Sequence, residues 1–162
     1  MNFRIGLGQD SHPVKKVTGK NNNPLKLGGV LISEEIECLA ESDGDVIIHA
    51  LCNALNTAVG YGSLSLYATE MCRLGIRDSR EYLKKGLLLI KDKSFKVGNV
   101  SIAVETSAVK LEEYREKMQK ELAKNLGVEK DDVGIAFTSG EKLTSFGKGE
   151  GIQAFAIVLI TK

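Results

Sequence analysis

Cysteine, charge of one sign, long apolar runs and histidine are all in short supply in this chain of 162 residues. Cys38, Cys52 and Cys72 lie far apart, with no C-x-x-C spacing. They exclude a disulfide framework or a zinc ribbon and read as thiols of a reducing compartment. Lys and Arg number 22 against 21 Asp and Glu, a net charge of +1. That balance gives no electrostatic reason to expect nucleic acid. The apolar runs near Ile90 and Ile157 are too short to span a bilayer. No charged-then-apolar leader opens the chain, so a cytoplasmic protein with no membrane partner is expected. The length fits one domain, residues 1–162, with a substantial core.

What is present reads as alternating strands and helices. There is no internal repeat, and "GKNNNP" (Gly19 to Pro24) reads as an exposed turn. Strands are predicted at Phe3–Gly8, Leu25–Ile32, Lys96–Glu105, Gly134–Thr138 and Ile152–Ile160, the last nearly all apolar and so deep in a sheet. Helices are predicted over "SDGDVIIHALCNALNTAV", "DSREYLKKGLLLIKDK" and "KLEEYREKMQKELAKNLG", the first two opening on capping residues and the third stopping at Gly127. The fold class is α+β: a mixed sheet covered by helices on one face. The other face needs a cover, and self-association is the simplest one.

The two histidines, His12 and His49, carry the first functional signal. Asp10 and His12 follow the first predicted strand, and in an extended chain residues i and i+2 point to one side. His49 is placed about two turns into the first helix. Asp10, His12 and His49 make a candidate set of N/O ligands for a zinc-type ion, with one position left for substrate. Core histidines are the alternative. Asp45 and Asn53, each four residues from His49, are candidates to orient its ring. Ser42, Asp43 and Gly44 at the expected helix start suit a phosphate, or are an ordinary cap.

The stretch "FTSGEKLTSFGKGEG" (Phe137 to Gly151) supplies Thr138, Ser139, Glu141, Lys148 and glycines between two strands. That composition suits phosphate and Mg²⁺ without Walker spacing, or else a plain hairpin loop.

Together, "RIGLGQDSH", "SDGDVIIHAL" and "GEKLTSFGKGEGI" resemble the 2-C-methyl-D-erythritol 2,4-cyclodiphosphate synthase family in order and spacing. "LGGV", "DSREYL" and "VGNVSI" extend the resemblance over essentially the whole chain. It implies a homotrimer with active sites between neighbouring subunits. It implies Zn²⁺, with Mn²⁺ or another divalent ion as alternative, on Asp10, His12 and His49, and Mg²⁺ on Glu141. Thr138 and Ser139 fall where the family holds phosphate and polarises the reacting group, so with Glu141 they are the implied catalytic residues. Ala108, Lys110, Leu111 and Glu112 are the implied cytosine pocket. Ser42 and Phe146 are further implied substrate contacts, and Lys148 stands where the family has an arginine, in the cavity along the trimer axis. The implied reaction is intramolecular phosphoryl transfer. The 2-phosphate of 4-diphosphocytidyl-2-C-methyl-D-erythritol 2-phosphate attacks the β-phosphorus, CMP leaves and a cyclic diphosphate forms.

The departures from the family fall on the sugar-phosphate side. Glu41 replaces a histidine, leaving a metal ion or Lys148 to offset its charge. Asn53 replaces an aspartate, Tyr61 stands at the ribose-binding aspartate, and Thr69 or a neighbour stands at the aspartate facing the methylerythritol hydroxyls. Val109 replaces a proline. Two alternatives follow: the same metal-assisted chemistry on another nucleotide diphosphate, or a non-catalytic trimer that binds a nucleotide or isoprenoid phosphate.

Overall fold

Alternation of small and large residues sets the first strand. In the computed structural model, which describes residues 2–162, β1 runs from Phe3 to Lys16 and is longer than the sequence predicts. Its even positions Gly6, Gly8, Asp10, His12 and Val14 face inward; Phe3, Ile5 and Leu7 face out and are exposed. Strands β2 (Pro24–Leu27) and β3 (Val30–Cys38) replace the single strand expected at Leu25–Ile32. Gly28 and Gly29 break it, with φ of 58° and 79°, in the left-handed region that favours glycine.

The helices are α1 (Val46–Ala58), α2 (Ser65–Arg73), α3 (Ser79–Lys91) and α4 (Arg115–Leu126). Strands β4 (Lys96–Glu105), β5 (Val133–Thr138) and β6 (Gly151–Thr161) complete the set. The expected stop at Gly127 is there, left-handed with φ 72°. Helix α2 was not predicted. It opens on Leu64 with no side-chain cap, so the usual start signal is missing.

The sheet order is β2-β3-β1-β6-β4-β5. All pairs are antiparallel except β4 with β5, which are joined through α4. One face of β1, β4 and β6 is buried under the helices, as Val100, Ile102, Val104, Ala154, Ala156 and Val158 record. The other face leaves Ile5, Leu7, Phe155 and Ile157 exposed, side by side through the β1–β6 pairing. No helix among the described residues is long and apolar enough to cross a membrane.

Helix α1 is buried almost all round, so it is apolar on most faces rather than along one stripe. It lies directly on β1. A Cβ added at Gly6 would come 1.9 Å from the Ala54 carbonyl oxygen, and one at Gly8 would come 2.0 Å from that of Ala50. Ala50, Ala54 and Ala58, one helical turn apart, are the matching small stripe. This close crossing sets the distance between helix and strand at the site.

Candidate metal centre

The Gly–Ala contact brings the start of α1 onto the middle of β1. His49 is the fourth residue of α1 and its N–H reaches back to the cap residue Asp45 at 2.9 Å, so it sits in the first turn, not two turns in. Asp10 and His12 lie within β1, paired with Ala154 and Ile152 of β6, and share the helix-facing side. Asp10 Oδ2 is 2.9 Å from His49 Nδ1 and 3.2 Å from His12 Nε2, and the two ring nitrogens are 3.3 Å apart. Among the described residues, these three are the group of His, Cys, Asp and Glu able to converge on one ion.

Geometry and chemistry both fit a divalent cation. Ligands at roughly 2.0–2.1 Å from a tetrahedral zinc stand about 3.3 Å from one another. The observed triangle is close to that. Burial works against the charge of Asp10, but hydrogen bonds and charge attraction from His12 and His49 outweigh it and hold the carboxyl at about 2. Asp10 therefore offers a carboxylate, not a carboxylic acid, to a cation across the working pH range. The His49 side chain is buried, while those of Asp10 and His12 open onto a pocket of about 370 Å³.

Glu41, Ser42, Asn53 and Thr69 also line that pocket, and the α2 residues Ser65 and Ala68 form part of its wall. Tyr61 is exposed and does not line it. Several expectations are corrected here. Ser42, Asp43 and Gly44 precede α1; the cap is Asp45, whose carboxylate accepts from the backbone N–H groups of Ile48, Gly28 and Gly29. Burial pushes Asp45 up to about 6 despite those bonds. It is spent on backbone and does not orient the imidazole. Asn53 does not either: its amide donates to Gln9 O and its oxygen accepts from Leu64 N–H. The groups that meet His49 Nε2 are Ser79 Oγ, at 2.8 Å, and more distantly Ser42 Oγ, at 3.4 Å. The sequence reading passed over Ser79, because beside Asp78 at a helix start it looks like capping alone.

The last loop forms a separate region. Ala108, Lys110, Leu111, Glu112, Thr138 and Ser139 line a second pocket of about 530 Å³ that shares no residue with the first. Leu111 is buried; Lys110, Glu112, Thr138 and Ser139 are exposed. Glu141 and Lys142 have φ of 48° and 63°, a conformation that costs non-glycine residues energy. Glu141 is exposed, accepts from Ser139 Oγ at 3.4 Å, and stands apart from the Asp10–His12–His49 cluster within one chain. Phe146 packs at Gly151, and its carbonyl accepts from Ser107 N–H. Lys148 lines a concavity with Lys15, Lys16 and Ala108, not the pocket that holds Glu41. Within one chain it cannot offset that carboxylate.

Comparison with known proteins places this geometry. The model of the YgbB family matches residues 3–161. The 2-C-methyl-D-erythritol 2,4-cyclodiphosphate synthase of Erwinia tasmaniensis is 38% identical over 162 residues, covering 99% of this chain and 99% of that one. The enzyme of the same name from Chlamydia muridarum is 36% identical over 159 residues, covering 98% of this chain and 88% of that one. The Plasmodium falciparum IspF complex with CDP superposes with a TM-score of 0.84 at 29% identity, covering 98% of this chain and 95% of that one. A CDP-bound 2C-methyl-D-erythritol-2,4-cyclodiphosphate synthase gives a TM-score of 0.85 at 30% identity, with 98% and 100% covered.

Proposed function

The chain belongs to the YgbB family, and on that premise we propose that residues 1–162 act as one domain, in a cytoplasmic homotrimer, as a 2-C-methyl-D-erythritol 2,4-cyclodiphosphate synthase. The substrate is 4-diphosphocytidyl-2-C-methyl-D-erythritol 2-phosphate. An oxygen of its 2-phosphate forms a bond to the β-phosphorus, the bond from that phosphorus to the CMP oxygen breaks, and the cyclic diphosphate and CMP result. The observation that carries this reading is the convergence of Asp10 Oδ2, His12 Nε2 and His49 Nδ1.

Those three residues would hold Zn²⁺, and Glu141 would contribute to an Mg²⁺ site. Bound there, divalent ions supply charge neutralisation for the phosphate oxygens. Phosphoryl transfer asks the protein chiefly for position and complementary charge. The residues of this chain meet the first demand by holding the substrate at both ends. Ala108, Lys110, Leu111 and Glu112 enclose the cytosine end. Thr138 and Ser139 donate hydroxyl protons to phosphate oxygens, and Ser42 donates from the wall of the metal pocket. Phe146 backs the last loop, and Lys148 adds a cation beside Lys15 and Lys16.

Two pockets with no common residue support the trimer. A substrate that needs both is served when the metal pocket of one subunit meets the nucleotide pocket of the next. The exposed Ile5, Leu7, Phe155 and Ile157 supply an apolar face for that assembly. Incubation with the substrate and Mg²⁺, following CMP and the cyclic product, tests the reading. Release of both is expected; no turnover with metal-loaded trimer overturns it. Glu41 in the metal pocket favours one second reading, the same chemistry on another nucleotide diphosphate.

A further inference from the structure

Away from the pocket, His49 meets a chain of buried hydrogen bonds that favours one tautomer. Ser79, the first residue of α3, has no exposed surface. Its Oγ is 2.8 Å from His49 Nε2 and also hydrogen-bonds Asp43 Oδ1. The Ser79 backbone N–H donates to Asp43 Oδ2 at 3.1 Å. An ionised carboxylate only accepts, and a hydroxyl has one proton to give. Asp43 takes that proton, so Ser79 Oγ faces Nε2 as an acceptor. A neutral imidazole carries one N–H, which then sits on Nε2. Nδ1 is then left with a lone pair for a cation shared with Asp10 Oδ2 and His12 Nε2; without that cation the Asp10 carboxylate, 2.9 Å from Nδ1, pulls the proton the other way, against the relay. The reverse order would turn the Ser79 hydroxyl from Asp43 and leave two oxygens face to face in a buried place, a costly arrangement. Ser42 Oγ lies 3.4 Å from Nε2, against 2.8 Å for Ser79 Oγ, and is the weaker partner.

We propose that Ser79 and Asp43 are positioning residues, a relay that fixes the tautomer and ring orientation of His49 so that Nδ1 serves the cation. The proposal rests on the reading of Asp10, His12 and His49 as the cation site. The relay joins α3 to the segment entering α1, and Asp43 N–H is itself tied to Arg77 O at 2.9 Å. The ring is therefore held by two elements that also pack the core. Outer partners of this kind commonly change metal affinity about 10- to 100-fold.

The test is side-chain ¹⁵N spectroscopy of His49 in the full-length, metal-free protein, at a pH where the ring is neutral, with zinc titration by chelator competition. Wild type is expected to carry the proton on Nε2. In Asp43→Asn the amide donates to Ser79 Oγ, the hydroxyl turns toward the ring, and the proton moves to Nδ1. Zinc affinity then falls about 10- to 100-fold, and similarly in Ser79→Ala. A merely structural role would lower the melting temperature and leave the tautomer alone. A wild-type proton on Nδ1, or both variants binding zinc within about twofold of wild type, overturns the proposal. The wild-type spectrum decides the tautomer even if a variant fails to fold. A wild type that binds no zinc yet carries the Nε2 proton would sink the cation site and leave the relay standing.

Discussion

Gly8→Ala is the sharpest perturbation of the link between fold and site, because it changes one methyl group on a residue that is not a ligand. The added Cβ would lie 2.0 Å from Ala50 O and 2.4 Å from Ala54 N, both backbone atoms of α1. Neither can rotate away. Restoring an ordinary carbon–oxygen contact of roughly 3.3 Å requires α1 to recede from β1 by about 1 Å. His49, adjacent to Ala50, moves with the helix. The Asp10–His49 and His12–His49 separations of 2.9 and 3.3 Å then open toward about 4 Å, whereas metal-site distances hold to about 0.2 Å. Overpacking of this kind costs about 3 kcal/mol at its upper end. In a chain of this size that lowers Tm by about 6–12 °C. Zinc affinity should fall more than about 100-fold, since loss of an outer partner alone costs about that much. Thermal denaturation and a chelator-competition titration read the two effects. A variant with unchanged Tm and full zinc affinity would refute the idea that the close crossing builds the site.

Three other outcomes follow from particular side chains. Lys110→Ala should weaken CMP binding by about tenfold, the loss of one charge-assisted contact, while zinc content stays full; an unchanged dissociation constant counts against the nucleotide pocket. Ile157→Asp puts a charge on the exposed sheet face and should shift the proposed trimer to monomers by light scattering; an intact trimer would move the interface elsewhere. Asp10 has its carboxyl lowered from 3.8 to about 2, so its contribution is present above 3.8 and is lost as pH falls through about 2. Metal-free wild type should lose about 2 kcal/mol of stability over that window that Asp10→Asn does not. Superimposable acid-denaturation curves would show that the histidines do not stabilise the carboxylate.

The site was legible where spacing alone carries it. Asp10 and His12 obey the two-residue period of a strand, and a chain with two histidines leaves few ways to complete a ligand set. The same logic failed for Asp45 and Asn53. Helical spacing from His49 puts them near the ring in sequence, but both side chains are taken by backbone groups of other segments. Ser79 is the converse: its role depends on α3 folding back on α1, which no local pattern shows. The end of β1 was underestimated because Gly8, Asp10, Ser11 and Pro13 are poor strand formers, overridden here by pairing with β6. The split of β2 from β3 turned on two glycines in an otherwise strand-like run. Helix α4, with its regular apolar face and glycine stop, was readable because its signals are local.

Anomalous diffraction at the zinc edge, from crystals grown with zinc, tests the central claim most directly. One peak is expected, bonded at about 2.0–2.2 Å to Asp10 Oδ2, His12 Nε2 and His49 Nδ1. No peak at that triangle, or zinc held only elsewhere, would contradict the account.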